Sequence, residues 1–521
     1  MPYNNPLHER LVTQWASTGA TLFPPRIGEC ADDVRREERL MLMGSRRVPY
    51  ALDVLDPASI DAIHEATLEV LSETGALFED EEVLELLDSA GASVDDEHQV
   101  RVPPSLVEQA IESAPSSVSF FTRDGEEAMR LEPGYVYFGT GSDCPDVLDP
   151  ETGVRRKAVK RDIETFARLS DALPGIDFIL SMGLASDVPS STADVHHFHA
   201  MVCNTTKPVL FTAVRDENLP HILDLAAEIV GSQDTLAERP FVGLYAMPSP
   251  PLRHSKVALR NLVRCARRSI PVVYASGTNP GATGPMSIAG STVSANCDVL
   301  AGLVVHQLAS PGAPYVYGVG VLPMDMRSAV SSYGAPEHHL GDLVNGQVAQ
   351  SYRLPTWGFA AAGDSKVLDL QAGLEYCSSA TMGLLSQVNM LHDVGFLDFG
   401  RLASCESIVF ADEVIAFCRS TLQPVAVDRE TLGVETIKKV GPGGTFLTEP
   451  YTVEHFREFY DSSLIDRRRH EQWVAKGSKT MMDRLHERAR DLLASHRPSA
   501  LDPTVVKHMD SLIAELESAA P

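Results

Sequence analysis

The string Asp364-Ser-Lys366 sets a carboxylate and an amine close together just beyond an apolar run, a place where covalent chemistry is conceivable. A lysine whose pKa is lowered by burial forms Schiff bases with carbonyl compounds, whereas a lysine tied to its own loop gives the same string and no reaction. His197-Phe-His199, beside His196, and the pair His338-His339 after Glu337 have the side chains of metal ligands. Both sets fall on helical patterns, where neighbours point about 100° apart and rarely share one ion, so packed helix faces account for them. The glycine-rich stretch 276–284 offers backbone amides to a phosphate, but it lacks the GxxxxGK[ST] form and suits the close approach of another molecule better. Hydrolysis of an ester, glycoside or phosphate needs an activated nucleophile, a carboxylate pair or a metal-held water, and no convincing set of that kind is present. The same segments are rich in rings instead: Tyr137, Phe138, Tyr245, Tyr274, Tyr317, Trp357 and Phe359. Ring faces that converge make a cage for a quaternary ammonium, each contact worth roughly 0.5–2 kcal/mol. Strand alternation turns half of such residues away from any shared lumen, so simple barrel filling is the competing reading.

Those residues need a frame that gathers them. Eight apolar runs, at 136–141, 178–183, 208–213, 241–247, 271–277, 314–319, 355–360 and 389–395, alternate with helical patterns at about 160–172, 192–204, 217–230, 255–268, 287–309, 335–353 and 369–388. Strand after helix after strand implies a parallel sheet, and eight units match a closed (β/α)8 TIM barrel better than an open doubly wound sheet. Active groups in such a barrel lie at the C-terminal strand ends, which converge on one mouth. Residues 134–405 are assigned to the barrel, 51–133 to a helical and β-hairpin cap, 1–50 to an irregular N-terminal arm and 406–521 to a helical C-terminal layer. In the cap, Asp56 and Pro57 open a helix that Gly75 stops, and 118–123 is joined to 135–138 through the turn Asp124-Gly125. With 44% hydrophobic and 22% charged residues, the 521-residue chain is not a disordered one. A net charge of −27 argues against a nucleic-acid partner. The absence of a signal-peptide core and of any uninterrupted eighteen-residue apolar run points to a cytoplasmic protein without a membrane span. Eight scattered cysteines with no CxxC pair suit a reducing compartment.

Several strings are specific. Gly334-Ala-Pro-Glu337, Leu354-Pro-Thr-Trp-Gly358, Asp364-Ser-Lys366, Gln371-Ala-Gly-Leu-Glu375 and Val440-Gly-Pro-Gly-Gly-Thr-Phe-Leu447 resemble the trimethylamine methyltransferase (MttB-like) superfamily. So does the tail Leu464-Ile-Asp-Arg467, followed by Trp473 and Gly477-Ser-Lys479. The resemblance implies a (β/α)8 barrel that takes a methyl group from an amine and gives it to the cobalt(I) of a separate corrinoid protein. Trimethylamine enzymes of the family carry pyrrolysine just before a Ser-Asp-Ala-Lys-like string. That place falls at Ala362 here, so the chain looks like a member without pyrrolysine, similar to those that demethylate glycine betaine or related quaternary amines. A quaternary nitrogen is already cationic and leaves as a neutral tertiary amine, so its displacement needs no general acid, in keeping with the sparse acid and base inventory. No DxHxxG string of a corrinoid-binding chain is present, so the cofactor is expected on a partner and not on this chain.

On that basis the trimethylammonium group is expected over Phe138, Tyr245, Tyr317 and Trp357, with Phe359 beside them, and catalysis is mostly positioning. Glu337 and Asp364 either add negative potential or brace loops; Glu337, after Pro336, equally suits a helix N-terminus. Lys366 is assigned to bracing Asp364, and His392 to a hydrogen bond with a substrate carboxylate. Two departures from the family pattern stand out. Gly363 replaces a Thr or Ser, and Asp393 follows His392 where a glycine is more usual; Asp393 either favours a second cation on the substrate or caps a loop. A Schiff-base lyase using Lys366 and a non-catalytic quaternary-amine binder are the alternative functions, and a homo-oligomer is expected.

Overall fold

Long apolar runs flanked by glycine and proline become strands here because both faces of each run are buried. The structure, a computed structural model, describes residues 46–519; the arm expected at 1–50 lies outside the described residues as far as residue 45. Seven strands, β1 (Tyr137–Thr140), β2 (Val209–Phe211), β3 (Val242–Ala246), β4 (Val272–Thr278), β5 (Tyr315–Val321), β6 (Thr356–Phe359) and β7 (Met390–Val394), form one sheet in the order β1-β7-β6-β5-β4-β3-β2. All of its ladders are parallel. The gap between β1 and β2 is closed by residues 178–179, where Gly139 pairs with Phe178 and Ile179 with Val209, both parallel. The second of the eight anticipated strands is thus reduced to two paired residues. Upstream of it the Asp177 carboxylate is taken by Arg46 and by the Phe138 amide, and downstream Met182 adopts a φ of 58°.

The seven anticipated helices are present as Lys160–Asp171, Ala193–Val202, Leu219–Val230, Lys256–Arg267, Ile288–Ala309, Pro336–Ser351 and Leu370–Ser386, and Cys405–Thr421 serves the eighth unit. Ile288–Ala309 is long and apolar enough to cross a membrane, yet 72% of its apolar window is buried inside the structure. It is apolar all round because it lies between β4, β5 and the cap helices Pro57–Glu73 and Pro104–Ser113. The first cap helix begins as expected, with the Asp56 carboxylate accepting from Ser59 N at 2.8 Å, and Gly75 (φ 79°) ends it.

One pairing differs from expectation. Val118–Phe121 pairs antiparallel with Glu127–Leu131, not with 135–138, which instead leads into β1. Phe120, Met129 and Leu131 of this hairpin pack with Leu210, Val273, Val316 and Met390 inside the barrel. A Cβ on Gly243 of β3 would lie 2.9 Å from Phe120 and 2.7 Å from Leu210, so the bare backbone there lets the hairpin fill the N-terminal end of the lumen.

Candidate functional site

Alternation along β6 and β7 turns Trp357, Phe359, Met390 and His392 inward, and β3 adds Tyr245. The Trp357 ring lies 5.2 Å from Tyr245 and 4.2 Å from His392, and the Phe359 ring 4.4 Å from His392 (centroid to centroid). Tyr333, on the loop after β5, stands edge-on to Phe359 at 5.7 Å. Phe359 fits where it does because Gly320 of the neighbouring β5 has no Cβ; one there would lie 2.8 Å from the ring. The Trp357 indole N–H is buried and no partner meets hydrogen-bond geometry with it, although the Tyr245 hydroxyl is close enough to act on it.

The β1–β7 side of the same mouth is acidic. Asp393 is buried, and removal from water pushes its carboxyl up to about 8 even though the Tyr333 hydroxyl donates to it. Its Oδ1 lies 3.3 Å from His392 Nε2. His392 Nδ1 is 2.7 Å from the Gly358 carbonyl, which only accepts, so Nδ1 carries the proton and Nε2 is a bare acceptor. Burial pushes the His392 imidazole down to about 3 and keeps it neutral. Asp143, beyond β1, is pushed up to about 6, mainly by loss of hydration; its side chain keeps 35% exposure, so water softens that effect. Gly141 makes room for Asp393, since a Cβ there would collide with Asp393 Oδ1 and the Phe396 ring. Non-glycine residues in left-handed backbone gather at these strand ends: Asp143 (63°), Met182 (58°), Ala361 (51°) and Asp393 (66°).

Of the residues singled out in the sequence, Tyr245, Trp357, Phe359 and His392 come together. Phe138 and Tyr317 do not: each sits one residue out of phase with the lumen. The Arg419 guanidinium covers the Phe138 ring at 5.2 Å, and the Tyr317 hydroxyl donates to Asn296 Oδ1 at 2.8 Å on the surrounding helix Ile288–Ala309. Glu337 is exposed in the first turn of Pro336–Ser351, at the helix terminus and away from the rings. Ala362 is buried in the apolar cluster around the barrel and has no group for chemistry. Asp364 is a brace: it accepts from Ser332 Oγ, from Tyr333 N at 2.8 Å and from Gly334 N at 3.2 Å, and so holds the loop that presents Tyr333. Lys366 Nζ donates to the Asp364 carbonyl at 2.7 Å with 63% of its side chain exposed, the opposite of the buried setting an amine nucleophile needs. His392, proposed to bond a substrate carboxylate, has no proton on the nitrogen that is free to do so. Sequence reasoning missed Tyr333 and Glu375 as site-building residues. Both lie in or beside strings already noted, Gly334-Ala-Pro-Glu337 and Gln371-Ala-Gly-Leu-Glu375. The Glu375 carboxylate accepts from Asp364 N at 2.8 Å, Ser365 N at 3.2 Å and Gln371 Nε2 at 2.7 Å.

A cluster of aromatic rings with acid groups on one side and no activated nucleophile among them suits a cation held by its surface. Residues 31–521 match the family described as Trimethylamine methyltransferase (MTTB). The chain is 33% identical over 460 residues to Trimethylamine methyltransferase MttB of Desulfitobacterium hafniense (strain DSM 10664 / DCB-2), covering 88% of this chain and 92% of that protein. It is 30% identical over 466 residues to Glycine betaine methyltransferase of Desulfitobacterium hafniense (strain Y51), covering 89% and 97%. The crystal structure of the Methanosarcina barkeri Monomethylamine Methyltransferase (MtmB) superposes with a TM-score of 0.50 at 11% identity, over 92% of this chain and 94% of that one, a likeness of fold.

Proposed function

The chain belongs to the trimethylamine methyltransferase family, and from that premise we propose that it moves a methyl group from a quaternary amine to the cobalt(I) of a separate corrinoid protein. The observation that carries this reading is the clustering of Tyr245, Trp357, Phe359 and His392 at the barrel mouth, with Tyr333 at its edge. Ring faces attract a desolvated ammonium group, at roughly 0.5–2 kcal/mol per contact. The cobalt(I) electron pair forms the new bond to the methyl carbon, the C–N pair stays on nitrogen, and a neutral tertiary amine departs. No proton moves, so the step needs no general acid and a neutral His392 is no handicap. The chain's contribution is to strip water from the ammonium group and aim one methyl out of the mouth.

The approach of a partner is supported by apolar side chains left exposed on successive loops at the C-terminal strand ends, Leu184, Val214, Met247, Met286 and Met326, and by Leu370 at the start of its helix. The exposed, carbonyl-tethered Lys366 speaks against the lyase alternative. The test is to mix the purified chain, a reduced corrinoid partner and a panel of quaternary amines and to follow methylcobalt absorbance. Formation of methylcobalt with one of them is expected. Calorimetric binding of an amine with no transfer under those conditions would leave a binding protein instead.

A further inference from the structure

Resting on the reading that the rings hold a methylated ammonium group, we propose that Asp393 and Asp143 select the rest of the molecule. The methyl donor is a quaternary amine whose remaining substituent ends in a hydrogen-bond donor, a hydroxyl or a second ammonium, and bears no carboxylate. The two acids occupy the ends of neighbouring strands: Asp393 is the residue after His392 on β7, and Asp143 follows β1. Both act electrostatically on the Tyr245 hydroxyl and on each other; Asp393 lies against His392, and Asp143 against Ser181 Oγ at 3.4 Å and His197 Nδ1 at 3.8 Å. Asp393 is not a loop cap. Its carboxyl receives the Tyr333 hydroxyl and faces His392 Nε2, and no backbone N–H contributes to its ionisation.

A carboxylate-bearing donor needs a cation or several N–H groups to replace its hydration. Among the described residues, no lysine or arginine acts on Tyr245, Asp393 or His392. Arg155 is taken by Asp146 at 2.7 Å and Asp398 at 2.8 Å, and Lys366 by the Asp364 carbonyl. His392 presents a lone pair. A second sign of a ligand is the Trp357 indole N–H, on a residue only 1% exposed, which has the Tyr245 hydroxyl beside it but no partner at hydrogen-bond geometry. A hydroxyl satisfies a site of this composition from both sides, accepting from the indole and donating to an acid. A carboxylate only accepts, and once Asp393 is ionised, as in about half of the molecules at pH 8, it would meet two acids of its own sign.

Calorimetry with the full chain at pH 8 separates this inference from the reading beneath it, using tetramethylammonium, choline and glycine betaine as probes. Tetramethylammonium, which has neither group, is expected to bind at the rings and to report the aromatic site without the selector's hydrogen bond. Choline is expected to bind at least about tenfold more tightly than glycine betaine, a difference of about 1.4 kcal/mol. In Asp393→Asn the ratio is expected to shrink to within about threefold, or ~0.7 kcal/mol. If tetramethylammonium binds and glycine betaine equals or exceeds choline, the selector is overturned while the aromatic site stands. If none of the three binds, both fall. An undiminished ratio in a folded Asp393→Asn removes Asp393 from the role, and the wild-type ratio decides the substrate class even if that variant fails to fold.

Discussion

Asp393 makes cation binding depend on pH, and the sign follows from its surroundings. Burial raises its carboxyl to about 8, so the free protein holds a proton there at neutral pH, and a bound cation favours the ionised form. Affinity for tetramethylammonium should therefore rise between pH 6.5 and 8.5, with a slope of at most about tenfold per pH unit, and level off above. The other groups facing Asp393 keep a fixed state above pH 7. Asp143 is pushed up to about 6 and His392 down to about 3, while burial pushes Tyr245, Tyr333 and Cys144 well up. Calorimetry in buffers of different ionisation enthalpy should show proton release on binding at pH 7, and Asp393→Asn should abolish it and flatten the profile. A profile equally steep in the variant would assign the titration elsewhere. For folding the sign is reversed. Between the unfolded value near 3.8 and about 8 the folded chain holds a proton that the unfolded chain has lost, so this group's contribution to stability fades as pH rises. Which ring faces the lumen was not legible, and the reason is local. Tyr137 and Phe138 are adjacent, both aromatic and both buried, so a strand covered on two faces lacks the polar alternation that would reveal its phase.

At the scale of elements, the loops after β5 and β6 are locked to the helix Leu370–Ser386 by one carboxylate. Glu375 holds the amides of Asp364 and Ser365, and Asp364 in turn holds those of Tyr333 and Gly334. Glycine at 363 is part of the lock, since a Cβ there would collide with Glu375 Oε2, and one at Gly334 would lie 2.6 Å from the same carboxylate. Gly363→Ala should displace Glu375, loosen Tyr333 and destabilise the fold by about 1–3 kcal/mol. A lower melting temperature and weaker tetramethylammonium binding are the joint readout; an alanine variant unchanged in both would show that Glu375 gives way without consequence. The strands and helices around this lock were legible because buried parallel strands read as unbroken apolar runs and their helices as amphipathic stretches between them. The hairpin arm Glu127–Leu131 was not, since its alternating charged and apolar residues span only one short strand. The brace was hidden for another reason: Asp364, Tyr333 and Glu375 are brought together by loop geometry, and no spacing in the chain announces it.

At the scale of the whole molecule, two exposed apolar regions call for covers. One is the stretch 425–453, where Val425, Val427 and Ile437 are exposed and, among the described residues, the helices Val434–Val440 and Pro450–His455 bury no side chain. Self-association through this stretch is expected to appear as a dimer or larger species in light scattering, and Ile437→Asp should shift it toward monomer. The other region is the rim of the barrel mouth, and the proposed transfer constrains it more tightly. Reacting atoms must approach to about 3–3.5 Å before a bond can form, so a corrinoid carried by another protein has to be pressed onto this face. Met286 and Met326, 68% and 63% exposed, stand on the loops after β4 and β5, and flexible thioethers suit a contact that must form and release at every turnover. On a chain of net charge −27, adding a glutamate at either place sets a desolvation cost against docking without touching the rings. Met286→Glu with Met326→Glu should raise the KM for the corrinoid protein about tenfold, equivalent to ~1.4 kcal/mol, and leave tetramethylammonium affinity unchanged. Loss of amine binding in the double variant would mean that the loops shape the chamber itself, and an unaltered KM would put the partner's footprint somewhere other than the mouth.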